Sequence, residues 1–301
     1  MATGAGGRKF WGTMERSAAE QSAAGNEGRE GRPAAFADIL CAVDGSRDAR
    51  EAVRQAIALS GPGASLSFLA VSQSRGAGLA AQAALSEGRA SDALEQAAEL
   101  AREAGIHAAT ELRSGAPASD LLIEEGAKHD LLVVGCRGGS RLGGIVLGST
   151  ATQIAHRTEG PVLVARRSPD GDDFPRRVLL ATDGSPGSWA AARAALRVAA
   201  ARDSALRLVY VPDGMHPERY REVRKQIAAI EQATGAPPAV ADDPGHIAAR
   251  ICEAARAEEA SLIAIGRRGL SGIRALGSVS ERVAHGAPCS VLVAPPGSEA
   301  G

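Results

Sequence analysis

The chain carries one pattern twice, and this constrains its fold more than any single motif. Ile39-Leu-Cys-Ala-Val-Asp44-Gly-Ser46 is echoed by Val178-Leu-Leu-Ala-Thr-Asp183-Gly-Ser185. Each is a short apolar run closed by Asp-Gly-Ser and followed by an Ala-rich stretch, to about Ser60 and Ala201. The apolar runs read as buried strands. Ser46 and Ser185 read as N-caps of the helices behind them. Further on, Leu131-Leu-Val-Val-Gly135, Gly138 and Gly148-Ser149-Thr150 recur as Leu262-Ile-Ala-Ile-Gly266, Gly269 and Gly277-Ser278-Val279. Two copies in one order predict two domains of one fold.

The remaining elements alternate in both halves. Second strands are expected at Leu66 to Val71 and Leu206 to Val211, and long helices at about Leu79 to Ala104 and Pro217 to Thr234. Third strands follow at Ala108 to Leu112 and, more weakly patterned, Pro238 to Ala241. Helices from Pro117 and His246 lead to the fourth strands, and helices from Ser149 and Ser278 lead to final strands Val162 to Ala165 and Val291 to Ala294. Such alternation predicts an α/β fold: two doubly wound, mainly parallel five-stranded sheets of order 3-2-1-4-5. The expected organisation is a disordered tail over 1–35, domains over 36–166 and 175–296 with a Pro/Asp/Gly linker over 167–174, and a short tail over 297–301.

Composition narrows the function. With 45% hydrophobic and 23% charged residues the chain reads as an ordinary globular protein, and at 3% aromatics its cores must be built from Ala, Val, Leu and Ile. A formal net charge of -1 gives no argument for nucleic acid or an anionic membrane. No apolar run approaches the roughly 18 residues of a membrane span. Cys41, Cys136, Cys252 and Cys289 form no disulfide or zinc spacing, so a reducing cytoplasm is the expected location.

In open parallel sheets ligands bind beyond the C-terminal strand ends, where the strand order reverses. With order 3-2-1-4-5 that crevice lies between strands 1 and 4. Asp44 ends one wall and Gly135 begins the other. A carboxylate suits ribose hydroxyls. The Gly148-Ser149 helix start, with free N–H groups and a positive dipole end, suits phosphate. Arg137 and Arg141 would add charge-assisted contacts. The plainer alternative is a turn with a helix cap.

These residues resemble the universal stress protein family in its tandem two-domain form. The family signature G-x2-G-x9-G-(S/T) fits Gly135, Gly138, Gly148 and Ser149 in every spacing. Leu147-Gly-Ser-Thr-Ala, Leu276-Gly-Ser-Val-Ser-Glu-Arg-Val and Ala287-Pro-Cys-Ser-Val-Leu-Val are similar to the family's last helix and strand. The resemblance implies an adenine-nucleotide site in the first domain formed by Ala42, Asp44, Val71, Gly135, Arg137, Gly138, Gly148, Ser149 and Thr150. Its ligand would be ATP, with or without magnesium. The corresponding residues of the second domain are Asp183, Val211, Gly266, Gly269, Gly277, Ser278 and Val279. There only seven residues separate Gly269 from Gly277, a shortened arch that points to AMP, ADP or no ligand.

The implied function is a non-catalytic ATP-binding stress-response regulator with a protein partner, without a metal site of its own, nucleic acid or membrane. Alternatives are a slow ATPase or nucleotidyl-transfer enzyme of the same fold, and a nucleotide-free scaffold. The family's habit of pairing fifth strands implies an intramolecular pseudo-dimer, any further homodimer being weaker. His156 and His285, near the ends of equivalent helices, read as C-terminal cations. Cys136 reads as a small residue in a tight turn or as a redox-sensitive thiol.

Overall fold

The computed structural model describes residues 34–72, 80–137, 147–211, 217–235, 239–240, 246–267 and 277–296. Gly138, Arg141, Gly269, residues 1–33 of the tail expected over 1–35, and the tail expected over 297–301 lie outside the described residues, while Ala35 at the end of the expected first tail is buried in the core.

The first repeat runs β1 (Asp38–Val43), α1 (Arg47–Leu59), β2 (Ser65–Ser72), α2 (Ala80–Glu103), β3 (Ala108–Ser114), α3 (Ala118–Gly126), β4 (Leu131–Gly135), α4 (Ser149–Arg157) and β5 (Val162–Ala165). The second runs β6 (Arg177–Thr182), α5 (Pro186–Arg202), β7 (Ala205–Tyr210), α6 (Pro217–Thr234), β8 (Ala239–Val240), α7 (Ile247–Ala257), β9 (Leu262–Gly266), α8 (Ser278–Gly286) and β10 (Ser290–Ala294). Local chemistry sets the starts. The Ser46 and Ser185 hydroxyls accept the N–H groups of Ala49 at 3.1 Å and Ser188 at 3.2 Å, capping α1 and α5. Gly45 and Gly184, at φ of 76° and 75°, supply the left-handed step between strand and cap.

Both repeats have the expected 3-2-1-4-5 order, but they form one sheet rather than two. The ten strands run β3-β2-β1-β4-β5-β10-β9-β6-β7-β8. All neighbours are parallel except at the centre, where β5 and β10 pair antiparallel as Val164↔Val291, Leu163↔Leu292 and Val162↔Val293. The expected intramolecular joining of the fifth strands is therefore present. The reason is packing: each is a short, fully buried Val-Leu-Val-Ala strand, and an uncovered apolar edge is costly to leave in water.

Strand alternation divides the core. Ile39, Cys41, Phe68, Leu131, Val133, Leu163, Leu180, Leu262 and Leu292 pack with α1, α2 and α5 in one hydrophobic core that crosses the seam. On the other face each repeat has its own core, under α3 and α4 in the first and under α7 and α8 in the second. Ala155 of α4 joins the second repeat's core and Ala284 of α8 joins the first's, a reciprocal exchange across the seam. At the outer margins, β3 is largely exposed and carries the ion pair of Arg113 with Glu111, 2.5 Å, while β8 is two residues long.

Candidate functional site

The site is built where α1 begins against the end of β4. The parallel pairing Ile39↔Leu131 to Cys41↔Val133 brings the C-terminal ends of β1 and β4 to one level. A Cβ on Gly135 would lie 2.7 Å from the Asp48 carbonyl carbon and 2.9 Å from the Ala49 nitrogen. In the second repeat a Cβ on Gly266 would lie 2.5 Å from the Gly187 carbonyl carbon. The first glycine of each loop is thus needed so that the next helix can cross the strand end. Close approach of backbone to backbone is its role.

Three hydrogen bonds shape the site, and one of them, from the Ser46 hydroxyl, crosses between the two walls. The Ser46 N–H donates to Asp44 Oδ1 at 2.9 Å, the Ser46 hydroxyl donates to the Arg137 carbonyl at 3.4 Å, and the Gly148 N–H donates to the Cys136 carbonyl at 2.8 Å. Asp44 therefore does hold the turn, with one oxygen, while the residue itself is exposed. Ala42 and Val71, at the ends of β1 and β2, are half-buried, as is Thr150; Ser149 is exposed.

Helix α4 differs from α1 at its start. Its N-cap is Gly148, which makes no side-chain capping bond. The first intrahelical bond is Thr152 N–H to the Gly148 carbonyl at 2.9 Å. The N–H groups ahead of it, at Ser149, Thr150 and Ala151, are those a helix leaves unpaired at its start, with the positive dipole end behind them. The Gly148 backbone, φ -66° and ψ 153°, is open to any residue, so glycine there leaves space rather than permitting a special conformation.

Asp48, in the first turn of α1, is the residue that sequence reasoning passed over. Its Oδ2 accepts the Cys136 thiol at 3.1 Å and the Arg137 Nε–H at 3.2 Å. The acid four positions after Asp44, on the same helix start, was the available signal. Arg137 is thereby tied to a carboxylate, which holds its guanidinium above its ordinary pKa. Burial, seconded by the bond to Asp48, pushes the Cys136 thiol up to about 11. That direction runs against the redox-sensitive reading, which needs thiolate at neutral pH. Among the described residues no group of three or more His, Cys, Asp or Glu side chains is placed to hold a metal ion.

The second repeat reproduces the frame and changes the lining. The Ser185 N–H donates to Asp183 Oδ1 at 2.9 Å, the Gly277 N–H to the Arg267 carbonyl at 2.7 Å, and α8 again starts at a glycine without a side-chain cap. Gly187 stands where the first repeat has Asp48, and Arg267, which takes the place of the buried Cys136, is itself buried. The Ser280 hydroxyl donates to the Gly266 carbonyl at 2.6 Å. Beneath the Asp183 turn, Gln226 of α6 is buried against Thr182 and donates to the Ser188 carbonyl at 2.8 Å. Val211 follows β7 and is buried, while Ser278 is exposed and Val279 half-buried. His156 Nε2 lies 3.7 Å from Glu281 Oε1 of α8, across the seam.

The model of the universal stress protein family matches this chain twice, over residues 35–166 and 175–295. The chain belongs to the universal stress protein family. A universal stress protein of Mycolicibacterium smegmatis is 32% identical over 235 residues, 70% of this chain and 78% of the relative. Among solved structures, a universal stress protein from Archaeoglobus fulgidus superposes with a TM-score of 0.72 at 22% identity, over 87% of this chain and 99% of the other. A functionally unknown protein from Pseudomonas aeruginosa PAO1 gives a TM-score of 0.62 at 17% identity, over 87% and 93% of the two chains. These two structures share the fold. The tandem organisation of this universal stress protein is carried by the double family match.

Proposed function

We propose that this tandem universal stress protein binds ATP in its first repeat and acts as a non-catalytic regulator through a protein partner. The observation that carries the reading is the uncapped start of α4 beside the Asp44 turn. Three serial N–H groups and a helix dipole mark the start of α4, whereas α1 is closed by the Ser46 side chain. Asp44 would hold the ribose hydroxyls with its outer oxygen, Ala42 and Val71 would flank the base, and Gly148, Ser149 and Thr150 would meet the phosphates. Gly138 belongs to this reading by its spacing in the loop. Magnesium would arrive on the triphosphate, since the neighbouring acids Asp44 and Asp48 are engaged in the turn and with Arg137.

The second repeat is assigned weak binding of AMP or ADP, or none. Its arch is two residues shorter, and its lining replaces Asp48 by Gly187. A cytoplasmic site of action agrees with four cysteines that are all free and buried, and no described helix is long and apolar enough to cross a membrane. Native mass spectrometry of the purified protein tests the proposal: one adenine nucleotide per chain is expected, and a protein that neither carries nor takes up ATP is the scaffold alternative. Turnover of Mg-ATP that is lost in a Gly148→Val variant would make it an enzyme instead.

A further inference from the structure

The two strands that meet at the seam have the same sequence, Val-Leu-Val-Ala, and are related by a pseudo-twofold axis through the Leu163–Leu292 pair. Over these four residues nothing distinguishes β10 from a second β5. Left to these strands, the first repeat would pair with another first repeat as readily as with the second. Identical self-complementary patches are the usual basis of symmetric dimers.

The distinction lies immediately beside these four residues, and it is polar. Ser290, fully buried at the start of β10, donates its hydroxyl to Gln55 Oε1 at 2.8 Å and accepts the Arg166 N–H at 2.9 Å. Gln55 of α1, also buried, donates to the Arg166 carbonyl at 2.7 Å and to Glu51 at 3.0 Å. The Arg166 guanidinium, 8% exposed, reaches past β10 to the C-terminal carbonyls of α8, donating to Ala284 at 2.6 Å and His285 at 3.2 Å. Glu51 accepts the Ser168 N–H at 3.2 Å and so fastens the start of the linker.

The pseudo-twofold copy of this network does not exist. Where the first repeat has Glu51, Gln55 and Arg166, the second has Ala190, Ala194 and Pro295; where the second has Ser290, the first has Pro161. We propose that Gln55, Arg166 and Ser290 form a key that admits only unlike repeats at the seam. A pair of first repeats would bury two Gln55 amides and two Arg166 N–H groups opposite Pro161, which offers no hydroxyl. A pair of second repeats would bury two Ser290 hydroxyls opposite Ala194 and Pro295. Both pairings strand these groups, whereas the unlike pairing partners the Gln55 amide, the Arg166 backbone N–H and the Ser290 hydroxyl, with Arg166 Nη1 left buried and without a hydrogen bond. The partner this surface fits is a repeat with a hydroxyl at the first position of its fifth strand, and within this protein that is its own second half. None of its three residues belongs to the proposed nucleotide site.

The test uses the full chain folded first and then cut at a protease site inserted at Gly171. Isotope-labelled and unlabelled batches are mixed in urea, returned to buffer by dilution, and weighed as intact complexes by native mass spectrometry. Wild-type halves are expected to pair only as first with second. In a Gln55→Ala, Arg166→Ala, Ser290→Ala variant, like pairs are expected to rise by about tenfold or more, the factor that one stranded buried group is worth. Like pairs at a statistical share in the wild type, or a variant as exclusive as the wild type, would overturn the proposal. On the uncut chain, urea melts of Gln55→Ala, Ser290→Ala and the double variant provide a second arm. Effects that simply add would show that no key exists, and Ser290→Thr, which keeps the hydroxyl, is expected to retain the coupling that Ser290→Ala loses.

Discussion

The Gly148 N–H bonds the Cys136 carbonyl at 2.8 Å, so the long excursion between β4 and α4 leaves and returns at one point. The Arg267–Gly277 bond at 2.7 Å does the same in the second repeat. The two ends of the glycine loop are thus pinned to each other beside the helix start, and changes at this foot can be read separately from changes in the fold.

Gly148→Val is expected to cut ATP affinity by at least tenfold while leaving stability within about 0.5 kcal/mol, because the backbone there is already in a region valine favours. Titration calorimetry paired with a thermal melt checks both parts. A folded variant that binds ATP as the wild type does would remove the assignment.

Asp44 combines a turn role with a proposed ribose contact, and two substitutions separate them. Asp44→Asn keeps an oxygen for the Ser46 N–H, so stability should hold while ATP affinity falls. Asp44→Ala should lose affinity and, in addition, about 1 kcal/mol of stability with the turn bond. Equal affinity in all three proteins would leave Asp44 as a turn residue alone.

Gly266→Ala and Gly135→Ala should both destabilise, by about 1–3 kcal/mol in urea melts. The added methyl meets helix backbone at 2.5 Å and 2.7 Å, and backbone cannot rotate away as a side chain can. An alanine variant as stable as the wild type at either site would show that the crossing of helix and strand end has slack.

Alkaline stability should be governed by the thiols. Burial raises Cys136 from 9.0 to about 11 and Cys289 to about 12, and pushes Cys41 and Cys252 upward as well. The folded state then holds protons that the unfolded chain gives up above its ordinary thiol pKa. The stability contributed is complete below pH 9.0 and is lost as pH rises toward 11, at about 1.4 kcal/mol per pH unit for each thiol. Urea midpoints across this range check it, and Cys136→Ala should flatten the slope by one proton.

ATP should titrate one strong site per chain. The shorter second arch and the missing counterpart of Asp48 predict that any second site is weaker and tolerates AMP or ADP. Two equivalent strong ATP sites in calorimetry would contradict this.

Much of this was legible in the chain because both repeats spell out the same local signals. Ser46 and Ser185 announce their helices, and Val-Leu-Val-Ala twice announces a buried strand that needs a partner. β3 extends two residues past its expected end because its last residues, Arg113 and Ser114, pair with Val71 and Ser72; ladder bonds continue where hydrophobicity stops. The contacts of Asp48 with Cys136 and Arg137 span 88 and 89 positions, and Gln55 meets Ser290 across 235. No local pattern encodes such distant partners, so they emerge only when the fold brings them together. The first glycine of each loop was legible as glycine but not in its reason, since the helix it accommodates belongs to an earlier part of the chain.

Joining the fifth strands also settles what the molecule shows to its neighbours in a crowded solution. Among the described residues the ten strands present two margins, a stub of two residues on one side and a strand studded with Glu111 and Arg113 on the other. Neither offers a long apolar template for a foreign strand. The most adhesive edge of each half is spent on its sibling, so the apolar strand that would otherwise seek a partner is already covered within the chain.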